Sequence, residues 1–153
     1  MLTILLLVGC SAPLMFMPLP ELRSLPPNRT LTARGADYRD VAECIVDEMN
    51  AARPVGSGWD EPLLLDWTMF TRRARQLATV TGTWSLEMMS LPVVDLTLTQ
   101  QGDDVRIEER IGRWRDDAEG ESPRGLRKAG EYARPIIERC AGARVVVEPP
   151  LRD

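Results

Sequence analysis

Apolar residues recur at helical spacing in two separate stretches of the chain. Asp37 precedes the first stretch and suits the N-cap position, and Arg53-Pro54 follows it and stops a helix. One side of this expected helix collects Tyr38, Val41, Ile45, Met49 and Ala52. The pattern therefore predicts a helix from about Tyr38 to Ala52.

The second helical pattern begins after Ser122-Pro123, which suit the N-cap and the first helical position. Gly142 suits the position just after the helix. Pro135 lies inside the pattern and removes one main-chain hydrogen bond, so we expect a kink or two abutting helices there. One face carries Leu126, Ala129, Ala133, Ile136, Ile137 and Cys140.

Between these helices, apolar and polar residues alternate with the period of two that is typical of a half-buried strand. The clearest alternation covers 94–99 (VDLTLT) and resumes over 105–108 (VRIE), after a turn that contains Gly102-Asp103. This pattern predicts a β-hairpin with one apolar and one solvated face.

Four further short runs are rich in strand-forming residues and are expected to join the same antiparallel sheet: 63–70, 75–83, 84–90 and 145–147. The first two should pair across a turn near Arg72. Proline is expected only at edges or bends of such a sheet, which is where Pro92 and Pro149-Pro150 should lie.

Residues 11–36 carry five prolines: Pro13, Pro18, Pro20, Pro26 and Pro27. Proline fixes φ and has no N–H to donate, so we expect neither a helix nor a central strand in this stretch. We interpret it as a semi-rigid spacer, which could reach up to roughly 75 Å at about 3.1 Å per residue.

The assembled pattern predicts an α+β fold, a two-layer sandwich over 37–148. Its antiparallel sheet should carry both helices on one face, in the order helix, strands, helix. Residues 149–153 are expected to form a tail. At 153 residues, the chain suits one domain of this kind.

The composition excludes several kinds of chemistry. The chain contains no histidine, which is the commonest general base and metal ligand. The net charge is −4, with acids and bases interspersed, so no electrostatic footprint for nucleic acid exists. The sequence also lacks a phosphate-cradling glycine loop, a Gly-x-Ser-x-Gly elbow and a Cys-x-x-Cys pair. We therefore predict no catalytic residues, no metal site, no cofactor and no enzymatic activity.

The first ten residues, MLTILLLVGC, resemble the signal of bacterial lipoproteins. Leu7, Val8, Gly9 and Cys10 fill the four positions of the lipobox, which ends on the cysteine to be lipidated. The resemblance implies a signal peptide over 1–9, lipid attachment at Cys10, and a tether over 10–36. It departs from the family in having no Lys or Arg before the cysteine. A buried N-terminal strand is the alternative interpretation of the apolar run.

Once Cys10 is assigned to lipid, Cys44 and Cys140 remain as an even pair. A cell-envelope location would allow them to form a disulfide, which would link the two predicted helices. The alternative is two free, buried cysteines in a cytosolic protein.

The four tryptophans fall in two kinds of environment. Trp67 and Trp84 lie in predicted strands and are expected in the core. Trp59 and Trp114 lie in polar loops, where an exposed indole can anchor a binding partner. The alternative is that these two indoles fold back onto their own domain.

These features together predict an envelope lipoprotein on the periplasmic side of the outer membrane, with the inner membrane as the alternative. Ser11 after the cysteine resembles the outer-membrane-directed type. The domain would do structural or accessory work with an envelope protein partner. The alternative function is a soluble periplasmic ligand-binding or inhibitory module, which would use the open face of the sheet or the tryptophan loops.

Overall fold

The computed structural model describes residues 16–52, 65–86, 89–115, 124–142 and 145–148. The helices are α1 (Leu19–Ser24), α2 (Tyr38–Ala51) and α3 (Arg124–Ala141). The strands are β1 (Arg29–Ala33), β2 (Asp66–Arg72), β3 (Leu77–Leu86), β4 (Met89–Gln101), β5 (Asp104–Ile111) and β6 (Val145–Glu148). A short 3₁₀ turn, Arg73–Arg75, connects β2 to β3.

The six strands form one antiparallel sheet in the order β2-β3-β4-β5-β1-β6. Strands β2 to β5 follow each other as neighbours. The predicted β4–β5 hairpin is confirmed, with Leu98 opposite Ile107 and Gly102 at a φ of 64° in the turn. A positive φ of this kind is readily adopted by glycine, which has no Cβ.

Helices α2 and α3 pack on the same face of the sheet, so the predicted α+β fold is confirmed. The α2 helix begins as predicted, because the Asp37 carboxylate accepts a hydrogen bond from the main-chain N–H of Arg39 at 2.8 Å. The core lies between the helices and this face of the sheet. Its fully buried side chains include Leu31, Ile45, Leu96, Leu98, Ile107 and Ile137. Trp67 is buried in the core, as expected, whereas Trp84 is only partly buried and packs against the core.

A disulfide joins Cys44 of α2 to Cys140 of α3, across a sequence separation of 96 residues. Their Cα atoms lie 5.7 Å apart. The predicted link between the two helices is therefore present, and it closes a loop that contains most of the sheet.

The expectation that residues 11–36 hold no helix and no central strand is wrong. Helix α1 and strand β1 both lie in this stretch, and β1 pairs with strands on both of its sides. The prolines are tolerated because of where they fall. Pro18 and Pro20 occupy the N-cap and first turn of α1, where an N–H has no partner within the helix. Pro26 and Pro27 lie in the link before β1.

Two further prolines, Pro92 and Pro135, can be compared with their predicted surroundings. Pro92 lies opposite Thr83, next to a register shift in the β3–β4 ladder and beyond the last β4–β5 pair, so it occupies the expected irregularity. Pro135 lies within α3, which continues as one helix from Arg124 to Ala141 instead of two abutting helices. Strand β6 lies at the sheet edge beside β1, as predicted for 145–147.

Removing the disulfide should destabilise the domain strongly. A chain that carries Cys44→Ala and Cys140→Ala is expected to lose roughly 2 to 5 kcal/mol of unfolding free energy, because its unfolded state is no longer constrained by a long closed loop. Urea unfolding measures this loss. Dithiothreitol should destabilise the wild type similarly and leave the double variant unchanged; a variant that still responds to the reductant would contradict this assignment.

Candidate site on the open face of the sheet

The face of the sheet opposite α2 and α3 is polar, and we refer to it as the open face. Strand register brings Thr81, Asp95 and Arg110 side by side across three neighbouring strands of this face. One step along the strands, Thr79, Thr97 and Glu108 form the next row. Hydroxyl, carboxylate and guanidinium side chains therefore lie next to one another on the central strands.

Helix α1 lies on the open face and covers one part of it. Leu22 is fully buried there. Arg23 donates two hydrogen bonds to the Asp95 carboxylate, from Nε to Oδ2 at 3.0 Å and from Nη2 to Oδ1 at 2.8 Å. The Thr81 hydroxyl donates to the same carboxylate at 3.0 Å. Asp95 is fully buried, so these bonds replace the water that its carboxylate loses.

A second arginine ties the link after α1 to β5. Arg110 donates from Nε to the main-chain oxygen of Leu25 at 2.9 Å, and from Nη2 to Glu108 Oε2 at 2.9 Å. Arg106 donates to the other Glu108 oxygen at 3.1 Å. Partial burial raises the pKa of Glu108, but the hydrogen bonds from Arg110 and Arg106 outweigh it, so the pKa lies below its ordinary value.

Two hollows, each of about 300 Å³, flank the Phe70 side chain on the open face. Phe70 is 60% exposed, which is unusual for a large aromatic side chain on a sheet. The first hollow is lined by Arg23, Phe70, Arg72, Leu77, Thr79, Thr97, Glu108 and Arg110. The second is lined by Leu19, Arg23, Thr68, Met69, Phe70, Thr79, Thr81 and Thr83.

The first hollow has the chemistry of a binding surface. The Arg72 guanidinium lies 5.7 Å from the centre of the Phe70 ring, in a cation–π contact. Thr79 and Thr97, each of which carries a hydroxyl, line the same hollow. A guanidinium with nearby hydroxyls suits a carboxylate or phosphate group. Asp95 and Glu108, two of the carboxylates on this face, are hydrogen-bonded to arginines.

A separate charged cluster lies on the opposite face of the sheet, under α3. Glu109 is fully buried and accepts a hydrogen bond from Arg29 Nε at 3.1 Å, while Arg134 Nε lies 3.6 Å from its other oxygen. Arg29 also donates to Glu138 at 2.6 Å. Burial raises the pKa of Glu109, although both arginines act to lower it. Glu109 lines neither hollow, and its ion pairs with Arg29 and Arg134 connect β5 to β1 and α3.

The structure places the sequence-predicted site residues in three groups. Cys44 and Cys140 are bonded to each other, so neither sulfur is free to ligate a metal, although Glu48 lies within 4.8 Å. Trp114 is 39% exposed, and its ring meets Phe16 edge-on with 5.0 Å between the ring centres. This indole therefore packs against its own chain and keeps part of its surface exposed. Trp59 and Cys10 lie outside the described residues.

Several residues of the open face have only weak signals in the sequence. Phe70 is an apolar residue between Thr68 and Arg72 on the solvated side of an alternating strand, which is a detectable anomaly. Glu109 is the opposite anomaly, a carboxylate in register with the apolar Ile107 and Ile111. Arg23 has no local signal, because its partner Asp95 is 72 residues away.

Comparison with protein-family models, with curated proteins and with solved structures finds no match to this chain. Among the described residues, no helix is both long enough and apolar enough to cross a membrane.

Docking of α1 should depend on the pair between Arg23 and Asp95. Arg23→Ala is expected to cost about 3 kcal/mol of unfolding free energy, because it leaves the buried carboxylate with Thr81 as its one side-chain partner among the described residues. Adding Asp95→Asn should recover part of the loss, since the buried charge is then removed. Chemical unfolding of the two variants measures both effects.

Arg115→Ala provides the matched control. Arg115 also binds α1, but it pairs with Glu21 at the solvent-exposed surface. It should cost less than Arg23→Ala. If Arg23→Ala and Arg115→Ala were equally mild, the pair on Asp95 would not hold α1 in place.

Proposed function

We propose that the protein is an envelope lipoprotein, anchored through Cys10 to the outer membrane and facing the periplasm, whose folded domain serves as an accessory interaction module. The observation that supports this most directly is the disulfide between Cys44 and Cys140. Such bonds persist in oxidising compartments and are rare in the cytosol. The resemblance of residues 7–10 to a lipobox points to the same compartment.

The link between the proposed lipid and the domain is shorter than the tether predicted over 10–36, because α1 and β1 lie within that stretch. The described part of the chain begins at Phe16, so five residues separate Cys10 from it. Six Cα–Cα steps span at most roughly 22 Å, since each extended residue adds no more than about 3.6 Å. A lipid on Cys10 would therefore hold the domain close to the bilayer surface.

The open face is the surface that we assign to the interaction. It presents Phe70, which is 60% exposed, beside Arg72. Aromatic and arginine side chains dominate the binding energy of many protein interfaces. The helix face is already covered by α2 and α3, so it offers less to a partner.

Lipid attachment can be tested directly by growing a bacterial host with a clickable palmitate analogue. Wild-type chain and the Cys44→Ala variant should both incorporate the label, while Cys10→Ala should incorporate none, because the acyl chains depend on that one sulfur. In-gel fluorescence of the detergent-solubilised envelope provides the measurement. Equal, background labelling of wild type and Cys10→Ala would refute the anchor.

A second candidate function is a soluble periplasmic ligand-binding module. The observation in its favour is the first hollow, where Arg72, Thr79 and Thr97 line one space of about 300 Å³. Such a set suits a small carboxylate- or phosphate-bearing molecule.

Titration of the full chain with citrate and with inorganic phosphate, followed by NMR, tests this second candidate. Binding should shift the amide signals of Thr79 and Thr97. Arg72→Ala should weaken it about tenfold or more, because a charge-assisted hydrogen bond is lost. Arg73→Ala removes the neighbouring charge in the turn and should have little effect. If both variants lowered the affinity equally, general charge attraction would explain the binding.

A further inference from the structure

The two outer strands of the sheet differ in how they are protected. Strand β6 has four residues and is followed in the sequence by Pro149-Pro150. Strand β2 has seven residues, DWTMFTR, with neither proline nor lysine. Within the described part of the chain, its outer side pairs with no other strand. A long, unprotected edge strand is a ready template for pairing with another chain.

The main chain of β2 shows which residues offer hydrogen bonds at this edge. The N–H of Trp67 donates to Asn50 Oδ1 at 3.3 Å, and Asn50 Nδ2 donates to the Trp67 oxygen at 3.1 Å. The main chain of Trp67 therefore faces away from β3. The β2–β3 register is uninterrupted, so alternation places the main-chain groups of Met69 and Thr71 on the same outer side.

The Asn50 side chain binds the outward main-chain groups of Trp67 and does not reach those of Met69 and Thr71. Its side-chain amide occupies both main-chain groups of Trp67, as a neighbouring strand would. Among the described residues, an incoming strand can therefore pair with Met69 and Thr71 without displacing a hydrogen bond of the Asn50 cap. The side chains at this open part are themselves exposed, with Met69 at 39% and Phe70 at 60%.

We propose that β2 pairs antiparallel with β2 of a second copy of this chain, centred on Phe70. Met69 of each copy then lies opposite Thr71 of the other, and the two pairs exchange four N–H···O bonds. The two Phe70 side chains lie directly opposite each other on the open face, in a position without main-chain bonds, where side chains approach most closely.

The Asn50 cap on Trp67 favours this register over the neighbouring symmetric one, and the charges of β2 are compatible with it. Arg72 of one copy lies opposite Thr68 of the other, and Asp66 is its diagonal neighbour, within reach of a long side chain. Centring the pair on Met69 would require the main chain of Trp67, which Asn50 already occupies. The inference does not depend on the proposed lipid anchor. It joins the two open faces into one continuous surface.

The oligomeric state of the full chain tests the proposal. Light scattering or sedimentation should show a concentration-dependent shift from 17.1 kDa to about twice that mass. Phe70→Lys should hold the chain at the monomer mass, because it places like charges directly opposite each other. Val146→Lys introduces the same charge on the other edge strand and should leave the shift intact. A wild type that stays monomeric, or equal effects of the two variants, would overturn the proposal.

Cysteine cross-linking tests the register and uses chains that carry Cys10→Ser, so that the new cysteine is the single thiol outside the internal disulfide. Phe70→Cys should form a covalent dimer under mild oxidation, because opposed residues of this kind have Cα atoms about 4.5 Å apart, within the range of a disulfide. Met69→Cys should not, since its symmetry mate lies diagonally. Efficient cross-linking through Met69→Cys, with none through Phe70→Cys, would refute the assigned register.

Discussion

The hydrogen bonding of β1 between β5 and β6 is the arrangement on which both faces of the sheet depend. Strand β6 pairs with no other strand of the described sheet, so without β1 it would have no strand to pair with. Residues just before β1 form α1, which covers part of the open face. The first residue of β1, Arg29, supplies the arginine that pairs with Glu109 under α3. One strand of five residues thus positions groups on both sides of the sheet.

The N-terminal segment also supplies a partner for each of two buried carboxylates. Arg23 pairs with Asp95 on the open face, and Arg29 pairs with Glu109 on the helix face. A buried ion pair contributes little net stability compared with apolar packing, but loss of one partner is costly. These pairs therefore favour one placement of α1 and β1 over others, because any other placement leaves a buried charge without its arginine.

The sequence predicts the parts of this fold that depend on local pattern. Helix α2 and the β4–β5 hairpin follow from periodicity, a capping aspartate and a glycine turn, which act within a few residues. The sequence does not predict α1 and β1. The number of prolines is a compositional signal, whereas a helix tolerates Pro18 and Pro20 only because they lie at its N-cap and in its first turn. The sequence does not predict the two hollows beside Phe70 either. They exist because α1 packs on a sheet formed largely 40 to 90 residues later in the chain.

The position of the disulfide has a mechanical consequence. If the ends of the chain are pulled apart, the force acts on the segment before Cys44, which contains α1 and β1. Further pulling strips β1 from its two neighbours. Extension then stops at Cys44, because the bond to Cys140 carries the tension past everything between them. Strands β2 to β5 and most of both long helices lie inside this covalent loop, so they are shielded from force applied at either terminus.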